Sequence, residues 1–201
     1  MKIILATGNK GKVREIKEMC DKHEVIAYSD LIEPFEIVED ADTFKDNALI
    51  KARAVYEALQ KADKLEKDMV VLSDDSGISV DVLDGAPGIY SARYAGEDAS
   101  DVDNLNKLMS EVKKCGVESS AAHYTAAIAI VTPKSEFSMH GWMYGEVLTS
   151  PRGDGGFGYD PSFIPEGYTQ TLGELDNEIK KSISHRAKAL ELAKTVLNTL
   201  S

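Results

Sequence analysis

The sequence predicts an α/β fold, because short apolar stretches alternate with longer ones in which apolar residues recur every three or four positions. The 201 residues are 43% apolar, which is enough for a core that needs no disulfide. Two alternating stretches within residues 121–148 indicate a largely antiparallel portion of the sheet. Because no linker or repeat interrupts the chain, we expect a single domain over residues 1–201, with two tightly joined lobes at most.

The first part of the chain is expected to hold three strands and two helices. In chain order these are a strand at 3–6, a helix from Val13, a strand at 24–28, an acidic irregular segment at 30–42, a helix at 43–61 and a strand at 69–72. The second helix has the clearest pattern, since its apolar residues share one face: Phe44, Ala48, Ala52, Val55 and Leu59. Asp42 or Thr43 is its predicted N-cap.

The polar run Ser73–Gly77 is predicted to separate the strand at 69–72 from the next one. The remaining elements, in chain order, are a strand at 78–83, a turn at 84–88, a helix from Ser100, strands at 124–131 and 136–148, a glycine-rich loop at 153–158 and a helix from Ser184. Ser100 and Asp103 have the spacing of a capping box, and Ser184 is a natural N-cap.

The net charge of −11 argues against two classes of partner. Nucleic acids and anionic membranes are both polyanions, so we expect neither. The charge is unevenly distributed: residues 1–17 carry a net +4 and residues 178–194 a net +3, whereas 30–46 and 73–103 carry seven and eight acids, each against one base. Basic ends and acidic middle segments suit a polyphosphate bound with a divalent cation, although charge runs are also typical of solvated faces.

The cysteines and histidines indicate no disulfide framework and no zinc site. Cys20 and Cys115 form no CxxC motif, and we expect both to be reduced in a cytoplasmic protein. The four histidines lack zinc-ligand spacing, and we find no Ser-His-Asp or Cys-His set. The acids instead favour Mg²⁺ or Mn²⁺. We expect no signal peptide, because the apolar residues 3–7 follow a single Lys2 and run into Gly8–Gly11 without a cleavage pattern. We expect no membrane span, because no stretch reaches about 18 apolar residues.

The turn Thr7–Lys12, between the first strand and the first helix, is a candidate phosphate site. Backbone N–H groups at a helix N-terminus bind anions, the two glycines allow close approach, and Lys10 and Lys12 add positive charge. The spacing is not that of a P-loop. An ordinary strand–helix turn is the alternative interpretation.

Asp74 and Asp75 follow the apolar strand at 69–72. Because adjacent residues of an extended chain point to opposite sides, one carboxylate can face a metal while the other orients water or braces the loop. A surface turn is the alternative, since such turns are rich in Asp, Ser and Gly. The apolar strand that precedes the pair favours a functional role.

Two further motifs lie near the C-terminus. The segment Gly153–Pro161 contains four glycines with Phe157 and Asp160, and such a loop can approach a flat ligand on which Phe157 stacks. His185 and Arg186 follow Ser184 at the anion-friendly start of the last helix. A loop that closes a minor core and a solvated His-Arg pair are the alternatives.

Taken in order along nearly the whole chain, six segments resemble the inosine triphosphate pyrophosphatase family, hydrolases of non-standard purine nucleoside triphosphates. They are Leu5–Glu15, Thr43–Ala52, Asp74–Gly77, Gly85–Tyr94, Gly155–Phe163 and Ser184–Arg186. Each segment is a weak signal, and the six in order are highly specific. The resemblance implies an elongated, two-lobed mixed-sheet α/β fold with a deep central cleft, which in this family is usually a homodimer.

The resemblance further implies Mg²⁺-dependent hydrolysis of ITP, dITP and XTP to the monophosphate and diphosphate. Asp75 would be the general base and a metal ligand, and Glu39 the second metal carboxylate, with Glu36, Asp40 or Asp74 as the alternatives to Glu39. The substrate contacts implied by position are Thr7, Gly8, Asn9, Lys10, Gly11, Lys12, Ser76, Phe157, Gly158, Tyr159, Asp160, Lys180, His185 and Arg186.

Among these contacts, Thr7–Lys12 would hold the triphosphate, and Asp160, His185 and Arg186 would read the edge of the base. Hypoxanthine and xanthine carry an oxygen at C6, where adenine carries an amino group, so donors from His185 and Arg186 would favour the former. Two alternatives stay open: a pyrophosphatase for another modified nucleotide, such as a methylated pyrimidine, and a nucleotide-binding regulatory protein without turnover. The Asp74–Asp75 pair argues against the second.

Overall fold

The structure, a computed structural model, describes residues 1–200, apart from the side chains of Lys10 and Glu15. Its elements are β1 (Lys2–Leu5), α1 (Lys10–Met19), β2 (Glu24–Ala27), α2 (Phe44–Lys61), β3 (Met69–Val80), α3 (Asp101–Lys114), β4 (Ser119–Val131), β5 (Glu136–Leu148), β6 (Phe163–Pro165), α4 (Asn177–Ile183) and α5 (His185–Leu200). Short 3-10 turns lie at Tyr28–Asp30, Asp81–Leu83, Gly88–Arg93 and Asp160–Ser162. The predicted α/β class is confirmed.

The six strands form one open, mixed sheet in the order β2-β1-β3-β4-β5-β6. β1 is parallel to both of its neighbours, with Ile3 opposite Val25 of β2 and Val70 of β3. β5 and β6 are antiparallel, with Glu146 opposite Ile164. Within residues 1–200, no helix combines the length and the apolar content that crossing a membrane requires.

The first of two compact units consists of residues 1–75, 126–141 and the chain from Lys188 onward. Alternate residues of β1 face opposite sides of the sheet, and both sides are apolar. Ile3 packs in one cluster with Ile16 of α1 and Leu190 of α5. Ile4 packs in the other with Ala52 of α2. Helices therefore cover both faces of the parallel strands, as burial of such strands requires.

The second unit consists of residues 76–125 and 142–187. One apolar cluster fills it and contains Ile78 of β3, Leu108 of α3, Tyr124 of β4, Val147 of β5 and Phe163 of β6. Each of these residues is buried. The helix α3 and the strands on which it packs therefore share one core.

The prediction that Ser73–Gly77 separates two strands is wrong, because β3 runs without interruption from Met69 to Val80. Polar residues can lie in a buried strand when partners satisfy them. Ser73 Oγ donates to the carbonyl of Ala48, and the Asp74 carboxylate forms an ion pair with a lysine of α1. These partners lie far away in sequence. The local sequence of residues 73–77 therefore looks like that of a turn.

The local end signals of three helices are confirmed. Thr43 is the N-cap of α2, and its Oγ1 accepts a hydrogen bond from Asp46 N at 3.0 Å. Ser100 and Asp103 form the reciprocal capping box of α3. Ser184 Oγ accepts from the backbone N–H of Ala187 at the start of α5. The short helix α4 is not predicted, and β4 starts at Ser119 instead of 124.

Candidate active site

Lys51 of α2 contacts two carboxylates at once. Its Nζ lies 2.6 Å from Glu39 Oε2 and 2.9 Å from Asp75 Oδ1. The Lys51 and Asp75 side chains are largely buried, and that of Glu39 is 30% exposed. Glu39 belongs to the irregular segment before α2, which is tied to the helix because the Ala41 N–H donates to Asn47 Oδ1 at 3.0 Å. The three charged groups therefore come from a strand, a helix and a braced loop.

One carboxylate oxygen of Asp75 is available to bind a ligand. Its Oδ2 is buried and has no hydrogen-bond partner within the part of the chain that the structure describes. Leaving a buried acceptor unsatisfied is unfavourable unless a ligand or an ion completes it. Burial raises the pKa of the Asp75 carboxyl above its ordinary value, the Lys51 ammonium opposes this effect, and the Glu39 carboxylate adds to it.

Lys51 stays charged in this environment. Although burial lowers the pKa of its ammonium, Asp75 and Glu39 outweigh that effect and raise it above the ordinary value. One positive charge therefore sits against two carboxylates. The cluster consequently keeps a formal surplus of negative charge, which favours the approach of a further cation.

The carboxylates of Glu39 and Asp75 fit a magnesium ion whose remaining ligands come from the substrate. Among the side chains that the structure describes, no three from His, Cys, Asp or Glu form a ready-made metal centre. Mg²⁺ commonly takes only one or two carboxylates and fills its shell with phosphate oxygens and water. The orphaned Oδ2 of Asp75 suits such a ligand. Of the alternatives to Glu39, Glu36 and Asp40 are exposed, and Asp74 is already held in an ion pair.

The turn between β1 and α1 is closed by its own side chains. Asn9 is the N-cap of α1, and its Oδ1 accepts from the backbone N–H groups of Gly11 and Lys12 at 2.9 and 3.1 Å. Thr7 Oγ1 accepts from Asn9 N at 3.1 Å. A phosphate that binds these two helix amides would therefore have to displace the Asn9 side chain. The space around Gly8 is open.

Lys12, which is expected to hold the triphosphate, forms an ion pair with Asp74 Oδ2. The Asp74 side chain is fully buried, whereas that of Lys12 is 22% exposed. The pair explains how the strand tolerates a buried carboxylate, because removing either partner would leave an uncompensated charge. The side chain of Lys10, the second lysine of the turn, lies outside the described residues.

The second unit holds the residues that are expected to contact the base. Phe157 is 69% exposed, so its ring is accessible for stacking. Tyr159 is buried, its hydroxyl donates to the carbonyl of Ser91 at 2.6 Å, and its own carbonyl accepts from Ser162 N and Oγ, each at 3.0 Å. Between them, the N–H of Gly158 donates to Asp101 Oδ2 at 3.2 Å. The loop is thus fixed on both sides of Gly158, while the Phe157 ring projects from it.

Asp160 is a mostly buried acid at the end of this loop. Its Oδ2 accepts from Phe157 N at 3.3 Å and lies 4.0 Å from Lys180 Nζ. Burial raises the pKa of Asp160 to about 6, against the opposing effects of the Phe157 N–H and of Lys180. Gly156 permits this geometry, because its φ is +82° and a Cβ there would overlap the Asp160 carboxylate.

His185 and Arg186 both have well-defined partners. The His185 ring stacks on that of Tyr124, with centroids 4.8 Å apart and an interplanar angle of 13°. Arg186 is 5% exposed, and its Nη2 donates to Ser76 Oγ at 3.2 Å. Ser76, expected to contact the substrate, therefore also supports the guanidinium that is expected to read the base.

Two residues of this arrangement are missing from the sequence-based site. Lys51 had a usable signal, because it follows Ala48 by three residues and precedes Val55 by four, so helical spacing places a charge on the buried face of α2. Tyr124 had none, since an aromatic residue in an alternating strand indicates only a core position.

Known proteins are similar to this chain in sequence and in fold over their full length. The chain matches the Ham1 family over residues 3–196. A dITP/XTP pyrophosphatase from Sulfurimonas denitrificans is 68% identical over 200 residues, and one from Nautilia profundicola is 57% identical over 201 residues, with all of both chains covered in each case. The Ham1 protein of Staphylococcus aureus has a TM-score of 0.87 and 35% identity, again over 100% of both chains. The chain therefore belongs to the Ham1 family.

Proposed function

We propose that this protein hydrolyses non-standard purine nucleoside triphosphates, namely ITP, dITP and XTP, to the monophosphate and diphosphate. The observation that carries the proposal is the buried Asp75, whose Oδ1 is held by Lys51 while its Oδ2 has no hydrogen-bond partner among the described side chains and backbone. Relatives named dITP/XTP pyrophosphatase, at 68% and 57% identity, support the substrate class. Removal of such nucleotides from the cytoplasmic pool is the corresponding cellular role.

Glu39 and Asp75 are proposed to hold Mg²⁺, or Mn²⁺ in its place, together with the phosphates of the substrate. An ion held there would supply positive charge to the triphosphate and polarise the α-phosphate. Asp75 acts as the general base that accepts a proton from the attacking water. Lys51 orients the carboxylate through Oδ1, and Lys12 stabilises the leaving diphosphate.

The base is proposed to stack on Phe157 and to be read at its edge by Asp160, His185 and Arg186. Donors of His185 and Arg186 match the C6 oxygen of hypoxanthine and xanthine and face the wrong group in adenine. Sites built on such bonds reject the wrong analogue by about 10⁴-fold or more. Substitution of both residues by alanine should therefore narrow the preference for ITP over ATP, and an unchanged ratio would refute this role.

A panel of triphosphates, assayed for diphosphate release with and without Mg²⁺, tests the activity. We expect Mg²⁺-dependent release from ITP, dITP and XTP, and little from ATP. Release from a methylated pyrimidine triphosphate alone would indicate a different substrate, and absence of any release would indicate a binding protein. The Asp75→Asn variant should bind ITP in calorimetry yet lose most turnover, and near-wild-type activity would contradict the assignment of Asp75.

The metal assignment is tested by Glu39→Gln, with Glu36→Gln as the matched control from the same segment. We expect Glu39→Gln to weaken the rise in melting temperature that Mg²⁺ and a non-hydrolysable triphosphate cause together, because one carboxylate ligand is lost. Glu36 is exposed, so its variant should keep the full rise. The opposite result, a loss in Glu36→Gln alone, would move the second ligand to Glu36.

A homodimer is part of the proposal, and exposed aromatic residues support it. Trp142 and Tyr144 alternate on β5 and are 43% and 56% exposed, and the Tyr144 ring lies 5.5 Å from that of His123. Large exposed aromatic side chains on one face of a sheet are typical of interfaces. Light scattering should give a dimer for the wild type and a monomer for the Trp142→Ser/Tyr144→Ser variant, while Tyr90→Ser stays dimeric.

A further inference from the structure

Tyr124 connects the core of the second unit to the candidate base reader. It lies on β4 and is only 8% exposed. One face of its ring stacks on His185, with centroids 4.8 Å apart and the planes 13° from parallel. Its ring also meets Phe163, which is completely buried, edge to face at 4.9 Å. Tyr124 is therefore a rigid platform for a side chain that is itself only half-buried.

His185 needs such a platform because of its place in the chain. It is the first residue of α5, so no earlier turn of its own helix restricts the side chain. Contact with an aromatic face fixes the plane of the imidazole, and any hydrogen bond of its nitrogen atoms forms in that plane, at the ring edge. The stack thus settles the direction in which those nitrogen atoms can donate or accept.

We propose that Tyr124 is a positioning residue for base recognition, whose ring orients the His185 imidazole toward the purine edge. The inference rests on the proposed function, since that function assigns His185 to the base. The role belongs to the ring, because the ring of Tyr124 makes the contacts with both His185 and Phe163. A phenylalanine at this position should therefore still orient the His185 imidazole, whereas an aliphatic residue should not.

The test compares kcat and KM for ITP and ATP in Tyr124→Phe and Tyr124→Leu. We expect Tyr124→Leu to lower the ITP-to-ATP ratio of kcat/KM by about 10- to 100-fold, which is the effect of a slightly misplaced recognition group. Tyr124→Phe should keep the wild-type ratio. Leu108→Ala is the matched control, because Leu108 is completely buried in the same core and the ring contacts of Tyr124 with His185 and Phe163 stay in place; we expect it to lose stability and keep the ratio.

A spectroscopic measurement follows the stack independently of turnover. In the wild type, the ring current of Tyr124 should shift the His185 ring-proton resonances upfield, and a His185→Gln variant assigns those resonances. The shift should persist in Tyr124→Phe and vanish in Tyr124→Leu, or in Tyr124→Met should the leucine variant not fold. An unchanged ratio in a folded variant that has lost the shift would overturn the role of Tyr124. A wild type without pyrophosphatase activity would instead refute the proposed function, and this inference with it.

Discussion

Lys51 Nζ lies 2.9 Å from Asp75 Oδ1, so the candidate catalytic carboxylate is held by a buried cation in the free protein. The same ammonium is 2.6 Å from Glu39 Oε2. Without it, two carboxylates would share a partly buried space and repel each other. A bound divalent ion and Lys51 would therefore both offset the repulsion between the same two carboxylates. Either one alone would reduce the stabilisation that the other provides.

The variant Lys51→Met should be markedly less stable at neutral pH without metal. Removing one partner from a buried ion pair leaves uncompensated charge, which typically lowers the free energy of unfolding by about 3–5 kcal/mol. Urea denaturation at pH 7 measures this loss. Added Mg²⁺ should raise the melting temperature of the variant more than that of the wild type, because the ion can replace the missing positive charge.

Arg53→Met provides the control, because Arg53 lies on the same helix and its ion pair with Glu136 is exposed. An exposed pair contributes about 0–1 kcal/mol, so this variant should be close to the wild type with or without Mg²⁺. Equal stabilities for the two variants would mean that Lys51 is not the counter-charge of Asp75 and Glu39.

The elements that could be predicted are those whose signals are local. The periodicity of α2 and the caps at Thr43, Ser100 and Ser184 all depend on residues a few positions apart. The continuity of β3 could not be predicted, because the polar residues within it are satisfied by groups distant in sequence, among them the Ala48 carbonyl and the Lys12 ammonium. A polar run within a strand and a turn have the same composition until those partners are known.

The same distinction applies to the candidate site. Asp75 and Phe157 stand out from the residues around them and lie in segments that carry the family resemblance. The stack of Tyr124 on His185 exists only in three dimensions, because it joins the middle of a strand to the start of the last helix. Residues that support the site are therefore identified only from the structure. Residues with an unusual side chain for their segment can be identified from the sequence.

Phe157→Ala should weaken the binding of every purine nucleotide alike. The ring is 69% exposed, so its loss should change stability little, while the loss of base stacking is worth about 1–3 kcal/mol. Dissociation constants for ITP and ATP, measured in the Asp75→Asn background to prevent turnover, should both rise and keep their ratio. Tyr90→Ala, another exposed aromatic of the second unit, should leave both constants unchanged. A fall in the ratio would assign edge recognition to Phe157.

Gly156→Ala should disturb Asp160, and Gly167→Ala is a control with the same backbone strain. The φ angles are +82° and +85°, but a Cβ at Gly156 would overlap the Asp160 carboxylate, whereas the space at Gly167 is open. Both variants should lose about 1–2 kcal/mol of stability from the left-handed backbone. Gly156→Ala should lose about 1–3 kcal/mol more through overpacking. It should also alter the ITP-to-ATP ratio, which Gly167→Ala should leave intact; identical behaviour of the two variants would contradict this.

Asp160→Asn should change how stability depends on pH. Burial raises the pKa of Asp160 to about 6 in the folded protein, against about 3.9 for an unfolded chain, so the folded state binds this proton more tightly. The contribution of Asp160 to stability is therefore complete below about pH 3.9 and is lost as the pH rises through about 6. Between pH 5 and 7.5, the wild type should lose about 1–1.5 kcal/mol relative to the variant.

The difference between the two unfolding free energies is the quantity to measure, because other titrating groups contribute equally to both proteins. Urea denaturation of ligand-free Asp160→Asn and wild type at half-unit intervals should give a difference that changes most steeply at about pH 5, midway between the unfolded and folded pKa values, and levels off above about pH 6. Lys180, 4.0 Å from the carboxylate, favours the ionised form, so Lys180→Met should move the steep region to higher pH. A difference that stays flat from pH 5 to 7.5 would mean that Asp160 is ionised throughout and reads the base only as a hydrogen-bond acceptor.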